Sequence, residues 1–374
     1  MNVNPFVLNG YIDDNFFCDR EKETALLKEY MENGINVTLI SPRRIGKTGL
    51  VEHLFHQKDI SGNYYCFLVD IYATKTFEEL VQQLGRTIVR TLMSRGERAV
   101  KAFVEYVKSF RPTMSFDSVG NPSWSLAAGA PLSPEQSLEE IFSYFDKADK
   151  PCIVAIDEFQ TIAGYQGVKA EAMLRTFVQH CRNARFIFSG SHRTMMTEMF
   201  TKHSRPFYQS TTIMSVPKID REIYTDFACR LFNINDKELE RNVAHEVYDM
   251  FDGTTWYLQR VMNKLYSMTS TGGCCTSEYT SKAINAILDE NSAAYEALLY
   301  QIPSKQKALL MAICNEGKAQ SIMSAAFIRR HGLQSTSSVQ SAIKGLMERD
   351  FVTFEGGIYE VYEKLFALWL TRNY

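Results

Sequence analysis

The chain has 374 residues, which exceeds the size at which one hydrophobic core stops growing, so we expect two or three domains. With 45% hydrophobic and 22% charged residues, its composition is that of a globular protein and not of a disordered one. The formal net charge of −2 excludes a global positive field, so any binding to nucleic acid or to an acidic membrane has to be local.

The cysteines and the apolar stretches of the sequence indicate the cellular compartment of the protein. The eight cysteines occur singly except for Cys274 and Cys275, without the spacing of a zinc site, which favours reduced thiols. The N-terminus lacks the pattern of a signal peptide, and no apolar stretch approaches the ~18 residues of a spanning helix. We therefore expect a cytoplasmic protein that has no membrane as a partner.

The first half of the chain alternates helical periodicity with short apolar runs. Strands are predicted over residues 37–40, 64–70, 152–156 and 185–189. Helices are predicted over residues 21–32, from Leu50 onward, and over 76–93, 97–110, 137–147 and 169–181. Residues 111–136 lack periodicity and indicate a long excursion with a short edge strand near Trp124. This order predicts an α/β fold, a parallel sheet with helices on both faces that binds ligands beyond the carboxyl ends of its strands.

The second half of the chain shows mainly helical patterns. From about Asp220 the strand pattern disappears, and helices are predicted over residues 221–232, 236–251, 256–268 and 277–299. After a boundary at residues 301–303, helices at 305–315, 321–331 and 335–349 precede a hairpin of strands 351–354 and 358–361. Three helices and a hairpin predict a winged helix. We thus divide the chain into an α/β core over residues 1–216, a helical lid over 217–302 and a winged-helix domain over 303–374.

The stretch 37–50, VTLISPRRIGKTGL, predicts a strand, a turn and a helix start. The N-terminus of a helix has unpaired N–H groups and binds anions, and in the phosphate-binding loop G-x-x-x-x-G-K-[ST] these groups surround nucleotide phosphates. Lys47 is expected to reach the terminal phosphates and Thr48 to bind Mg²⁺. The first glycine of the pattern is replaced by Ser41. The predicted phosphate-binding residues are Ser41, Pro42, Arg43, Arg44, Ile45, Gly46, Lys47, Thr48 and Gly49.

Two acidic residues follow the apolar run CIVAI. Asp157 is expected to bind Mg²⁺, and Glu158 to orient and polarise a water that attacks the γ-phosphate. An isolated junction of this kind can equally be a surface turn with two solvated acids. Its combination with Gly46-Lys47-Thr48, about a hundred residues earlier, favours nucleotide binding.

The run RFIFS ends in the polar segment Ser189-Gly190-Ser191. Ser189 or Ser191 can contact the γ-phosphate and the catalytic water and sense the nucleotide state, or Ser-Gly-Ser can be a small-residue turn. Arg193 and Arg205 lie downstream and either supply positive charge to a phosphate or remain solvated.

Several motifs together resemble the archaeal-type ATPases, in the STAND branch of the P-loop NTPases, which are related to AAA+ and origin-recognition ATPases. The segments are FFCDREKE, ISPRRIGKTGL, VAIDEFQTI, FSGSHRTMMTEMF, RPFYQSTTIMSV and VYEKLFALWL. The resemblance implies an ATPase with ATP and Mg²⁺ bound between core and lid. It also implies that residues 19–21 lie near the adenine, where the alternative is a plain helix start.

The chain departs from that family at three positions. Ser41 stands where a glycine is frequent, and Gln209-Ser210 stand where the family commonly ends a motif in arginine. Residues 253–257, GTTWY, occupy the place of a Gly-x-Pro turn. The absent glycine and arginine favour a nucleotide-binding switch or scaffold that hydrolyses little, whereas Lys47, Thr48, Asp157 and Glu158 favour an ATPase.

The sequence of the winged-helix domain does not decide which partner this domain binds. Between Lys305 and Tyr374 there are nine Lys and Arg against six Asp and Glu, so the segment is only mildly basic. Phosphate contacts supply most of the affinity of DNA-binding winged helices, so this balance speaks against DNA without excluding it. The alternatives are docking of a protein partner or a homo-oligomer, or a DNA-bound regulator whose ATPase is secondary.

Overall fold

The computed structural model describes residues 4–8, 10–108, 112–116, 122–126, 133–166 and 169–374, with only the backbone for 112–116 and 122–126. The chain forms two compact units. Unit 1 comprises Met1–Leu231 and Gly253–Arg260, and unit 2 comprises Phe232–Asp252 and Val261–Tyr374. The three-part division made from the sequence stays a prediction. Within the described ranges, no helix combines the length and the apolar character needed to cross a bilayer.

The secondary structure alternates in unit 1 and is mainly helical in unit 2. The strands are β1 (Val37–Ile40), β2 (Tyr65–Asp70), β3 (Pro112–Phe116), β4 (Pro122–Leu126), β5 (Cys152–Asp157), β6 (Ala184–Gly190), β7 (Thr212–Ser215), β8 (Glu238–Leu239), β9 (Cys274–Cys275), β10 (Val352–Glu355) and β11 (Ile358–Val361). The helices are α1 (Glu21–Glu32), α2 (Lys47–His56), α3 (Lys58–Asn63), α4 (Phe77–Met93), α5 (Glu97–Tyr106), α6 (Pro134–Lys147), α7 (Ala170–His180), α8 (Arg193–Thr201), α9 (Arg221–Asn233), α10 (Arg241–Met250), α11 (Thr255–Met268), α12 (Ser277–Tyr300), α13 (Ser304–Glu316), α14 (Ala325–Arg330), α15 (Thr336–Glu348) and α16 (Lys364–Asn373).

Five parallel strands form the sheet of unit 1 in the order β2-β5-β6-β1-β7. The last residue of β1, Ile40, pairs with Gly190 at the end of β6 and with Ser215 at the end of β7. Because β5, β6 and β1 are neighbours, the loops that leave their carboxyl ends start side by side. This sheet confirms the predicted P-loop NTPase fold.

The central strands β1, β5 and β6 are mainly apolar and buried because both faces of the sheet are covered. Successive side chains of a strand point to opposite faces, and in β5 Val154 and Ile156 join one core while Ile153 and Ala155 join the other. The first core includes residues of α4 to α8, and the second includes residues of α1, α2 and α3. The helices therefore lie on both faces, as predicted.

Several elements differ from the sequence predictions. Neither β7 nor α8 is predicted, and β7 lacks a continuous apolar signal because Met214 is its one buried residue, with Ile213 41% exposed. Within the predicted excursion, β3 and β4 pair antiparallel in a two-stranded sheet of their own, and its residues 111, 117–121 and 127–132 lie outside the described ranges. No separate helix is predicted before the second strand, where Lys58–Asn63 form α3. Strands also recur after Asp220, since β8 and β9 pair in parallel.

Unit 2 contains the winged helix. Helices α13, α14 and α15 precede the antiparallel pair β10-β11, in which Val352 pairs with Val361. The following α16, which is not predicted as a helix, contributes the buried Trp369, whose Nε1 donates to Ser292 Oγ of α12 at 3.0 Å. Its ring also packs against Tyr295 of α12 at a centroid distance of 5.7 Å. The end of α12 thus packs onto the winged helix.

Candidate functional site

The loop between β1 and α2 has the backbone of an anion site. Gly46 is the N-cap of α2 with a φ of 96°, in the left-handed region that favours glycine. A Cβ at this position would meet no atom within 4 Å, so the requirement for glycine comes from the backbone conformation alone. No side chain caps α2, and the first N–H groups of the helix therefore remain available to an anion.

Ser41 fits where the pattern expects glycine. Its φ is not positive, so the position does not need the freedom of glycine. The residue is buried, and Lys47 Nζ lies 3.3 Å from its hydroxyl and 3.2 Å from its carbonyl oxygen. Lys47 Nζ also donates to the Pro42 carbonyl at 3.0 Å. The ammonium is therefore held over the loop by oxygen acceptors.

The ammonium group of Lys47 is buried and poorly solvated. It is 7% exposed, and burial lowers its pKa to about 8, although Asp157 and Glu158 act to raise this pKa. Arg43 lowers the pKa further. A phosphate group beside the ammonium would favour its charged form.

Asp157, the last residue of β5, is hydrogen-bonded to β6 and to the first turn of α2. Its Oδ2 accepts a hydrogen bond from Thr48 Oγ1 at 2.6 Å, and its Oδ1 accepts one from Ser189 Oγ at 2.6 Å. Mg²⁺ prefers hard oxygen ligands and takes only one or two from the protein beside waters and phosphates. The Thr48 hydroxyl and the Asp157 carboxylate fit that donor set. The described ranges hold no group of three or more His, Cys, Asp or Glu side chains suited to a metal, and an Mg²⁺ site of this kind requires none.

Glu158 follows with a left-handed backbone, at a φ of 55°. Its Oε2 accepts hydrogen bonds from Ser191 Oγ at 2.6 Å and from Gln160 Nε2 at 2.5 Å. Ser191 Oγ in turn accepts one from Arg43 Nε at 2.7 Å. Two hydrogen-bonded groups therefore lie side by side at these strand ends. The first consists of Thr48, Asp157 and Ser189, and the second of Arg43, Ser191, Glu158 and Gln160.

The sequence predictions missed two contacts to the loop. Arg20 has a buried guanidinium whose Nη2 donates to the Ile45 carbonyl at 3.3 Å and whose Nη1 pairs with Glu23 at 3.2 Å. The Thr255 hydroxyl donates to the same Ile45 carbonyl at 3.2 Å. Arg20 also precedes α1, so the interpretation of this segment as a helix start is correct but incomplete.

The Arg44 side chain turns toward residues 253–257. Its guanidinium carbon lies 4.6 Å from the ring centroid of Trp256 and 4.9 Å from that of Tyr257, and it donates to the Tyr257 hydroxyl. The backbone N–H of Trp256 donates to the Arg44 carbonyl at 3.1 Å. Two aromatic rings therefore hold an arginine that the sequence assigns to phosphate binding.

Arg193 and Arg205 lie at the start of α8 and shortly after its end. Arg205 pairs with Glu171 at 2.8 Å, although its Nε and Glu171 Oε1 are buried without a hydrogen-bond partner among the described residues. Arg193 is exposed in the first turn of α8. Their roles toward a phosphate stay predictions.

Comparisons with known proteins agree with this architecture. The family described as "ATPase domain predominantly from Archaea" matches residues 17–261, and the one described as "Probable winged helix domain" matches residues 293–372. The chain belongs to this family of archaeal ATPase domains and carries a C-terminal winged helix. A comparison with curated proteins gives no match.

Solved structures share the fold at low sequence identity. The Walker-type ATPase PABY2304 of Pyrococcus abyssi superposes with a TM-score of 0.66 at 18% identity, covering 98% of this chain and 99% of that one. The ORC2 protein of Aeropyrum pernix, in its ADPNP–ADP complexes, gives 0.61 at 14% identity, covering 99% and 96%. The ORC1 protein of the same organism, in complex with DNA, gives 0.52 at 12% identity, covering 96% and 93%.

Proposed function

We propose that the protein is a Mg²⁺-dependent ATPase that acts as a nucleotide-driven switch, with the winged helix as its output domain. The observation that carries this proposal is the hydrogen bond of 2.6 Å between Thr48 Oγ1 and Asp157 Oδ2. It unites the expected metal-binding hydroxyl of the loop with the expected metal-binding carboxylate. Lys47 beside this pair, with contacts to loop carbonyls that a phosphate would replace, supports nucleotide binding.

The chemistry follows from the placement of these groups. Thr48 and Asp157 would hold Mg²⁺, which neutralises charge on the phosphates when bound. Lys47 and the N–H groups at the start of α2 would bind the phosphates. Glu158 would accept a proton from a water whose oxygen attacks the γ-phosphorus, while the bond from that phosphorus to the leaving ADP oxygen breaks. The products are ADP and inorganic phosphate.

The test is ATP turnover and ATP binding by the wild type, Lys47→Ala and Glu158→Gln. Wild-type protein should release phosphate, Lys47→Ala should lose both binding and turnover, and Glu158→Gln should bind ATP while turnover falls by about 10²-fold or more. Equal turnover in all three proteins would overturn the proposed roles. Binding without turnover by the wild type would favour the nucleotide-binding scaffold over the enzyme.

For the output we propose a protein partner, or a second copy of the chain, as the target of the winged helix. Three of its cations form ion pairs: Arg330 with Glu316 at 2.6 Å, Lys344 with Glu348 at 3.8 Å and Lys318 with Glu360 at 3.8 Å. Cations engaged in this way contribute less to phosphate contacts.

DNA is the second candidate for the output, because the fold of the winged helix suits it. Filter binding to duplex DNA at low and moderate salt separates the two proposals. We expect weak binding with little salt dependence, whereas a steep loss of affinity with salt would establish phosphate contacts and favour DNA. Light scattering with and without ATP tests for a homo-oligomer.

A further inference from the structure

We infer that Gln160, Ser191 and Arg43 are positioning residues that orient the Glu158 carboxylate for the proposed hydrolysis. This inference rests on the proposed function and deepens it. Glu158 alone is placed to accept the proton of the attacking water. The other three side chains act through it.

The two donors to Glu158 share one oxygen. Ser191 Oγ and Gln160 Nε2 lie 2.6 Å and 2.5 Å from Oε2. Within the described ranges no donor reaches Oε1. One oxygen is therefore held by the protein, and the other is left to accept a proton from water. A general base needs such orientation before its proton transfer becomes effective.

The direction of the hydrogen bonds is fixed by Arg43. A guanidinium only donates, so Ser191 Oγ is the acceptor of the 2.7 Å contact with Arg43 Nε. The single proton of the Ser191 hydroxyl is then free to point at Glu158. Arg43, a residue of the phosphate-binding loop, thereby sets how Ser191 meets the carboxylate.

The Gln160 amide occupies space that Gly190 leaves free. A Cβ on Gly190 would collide with Gln160 Oε1 and would lie 2.6 Å from Met196 Sδ, so only glycine leaves room for this amide. Gln160 Oε1 is buried and has no hydrogen-bond partner among the described residues. Turning the amide around would put that oxygen against a carboxylate, which is repulsive, so the contact with Glu158 fixes the amide orientation. The sheet thus accommodates Gln160 at the cost of one unsatisfied acceptor.

Strand order explains why these residues meet. Glu158 and Gln160 follow β5, Ser191 follows β6, and Arg43 follows β1. These strands are consecutive neighbours in the sheet, so the hydrogen bonds run from one strand end to the next. The orientation of the proposed base is therefore coupled to the conformation of the phosphate-binding loop.

The experiment measures kcat and KM for ATP in Gln160→Ala, Ser191→Ala and Arg43→Ala. We expect kcat to fall about tenfold in all three variants, while KM in Gln160→Ala changes less than about twofold, since part of the effect of a general base is lost but binding is not. Ser191→Thr and Arg43→Lys, which keep a donor, should recover most of the rate.

A double-mutant cycle separates positioning from general structural damage. In a Glu158→Gln background, Gln160→Ala should cause no further loss of turnover, whereas structural damage would lower it again. Gln136→Ala, an exposed glutamine on α6, is the matched control and should equal the wild type. If Gln160→Ala fails to fold, Gln160→Glu keeps the size of the side chain and replaces the donor by an acceptor.

The outcomes distinguish the inference from the proposed function. If Glu158→Gln abolishes turnover but the three alanine variants match the wild type in kcat, the inference is wrong and the ATPase assignment stands. If the wild type shows no turnover, both are wrong.

Discussion

Thr48 and Asp157 are separated by 109 positions in the chain, and the Thr48 hydroxyl donates to the Asp157 carboxylate at 2.6 Å. The carboxylate also accepts from Ser189 at 2.6 Å and from the Glu158 backbone N–H at 3.0 Å. Asp157 is therefore fixed on the protein side by strand β6 and by its own turn. Its contact with Thr48 is the one that a metal would replace.

Replacing Thr48 by valine should weaken Mg²⁺-dependent nucleotide binding about tenfold, because the variant keeps the shape of the side chain but loses a hard oxygen donor. Titrating Mg²⁺ against a fluorescent ATP analogue measures the effect. Thr48→Ser keeps the hydroxyl and should behave like the wild type. A Mg²⁺ dependence that is identical in the valine variant would contradict the assigned ligand.

ATP affinity should depend on pH through Lys47. The pKa of this residue is lowered to about 8 in the free protein, and bound phosphate favours the charged amine, so it raises the pKa in the complex. Below pH 8 the amine is charged in both states and affinity is constant. Above about pH 8 the free protein must take up a proton on binding, so affinity falls as pH rises.

Calorimetry at pH 8.5 or so, in buffers of different ionisation enthalpy, should detect this proton uptake. Lys47→Arg is the control, because a guanidinium stays charged throughout this range. Its affinity should show a flatter pH dependence than that of the wild type. Proton release on binding would have the wrong sign for this account.

The two ends of the loop should respond differently to substitution. Gly46→Ala forces a Cβ into a left-handed backbone and should cost about 1 kcal/mol of loop stability, with ATP affinity reduced several-fold. Ser41→Gly should change affinity by less than about threefold, because Ser41 already has an ordinary backbone. Equilibrium binding of ATP to both variants checks this order, and a larger loss for Ser41→Gly would reverse it.

Removing the Arg20 guanidinium should destabilise unit 1. Arg20→Met keeps much of the volume but leaves the Glu23 carboxylate, which is only 15% exposed, without its partner. We expect a loss of about 3 kcal/mol in urea-induced unfolding, the usual cost when one partner of a largely buried pair is removed. Glu23→Gln keeps an acceptor for Arg20 and should cost about 1 kcal/mol. Equal stability of Arg20→Met and the wild type would show that the pair is dispensable.

The fold was predictable where apolar patterning is continuous. All four residues of β1 and all six of β5 are buried, and both strands are found where the sequence places them. Strand β7 escaped prediction because an edge strand with one buried residue carries almost no pattern. The hairpin of β3 and β4 was anticipated only as an edge strand, since strand pairing is not encoded in local periodicity.

The candidate site was also predictable only in part. The rule that parallel strands end at one edge of the sheet predicts that residues at or after the ends of β1, β5 and β6 converge, and Thr48, Asp157 and Ser189 do. The directions of Arg43 and Arg44 were not predictable, because they depend on acceptors and rings from distant segments. Arg20 and Thr255 contact Ile45 across 25 and 210 positions, and no periodic signal marks such pairs.

Trp256 beside the phosphate-binding loop has a practical consequence. The sequence contains three tryptophans, and Trp369 is buried in unit 2 against Ser292 and Tyr295. Replacing Trp124 and Trp369 by phenylalanine would leave a single indole, 4.6 Å from the Arg44 guanidinium carbon. The protein thus carries an intrinsic fluorophore at its loop, whose emission can follow the arrival of an unlabelled nucleotide in real time.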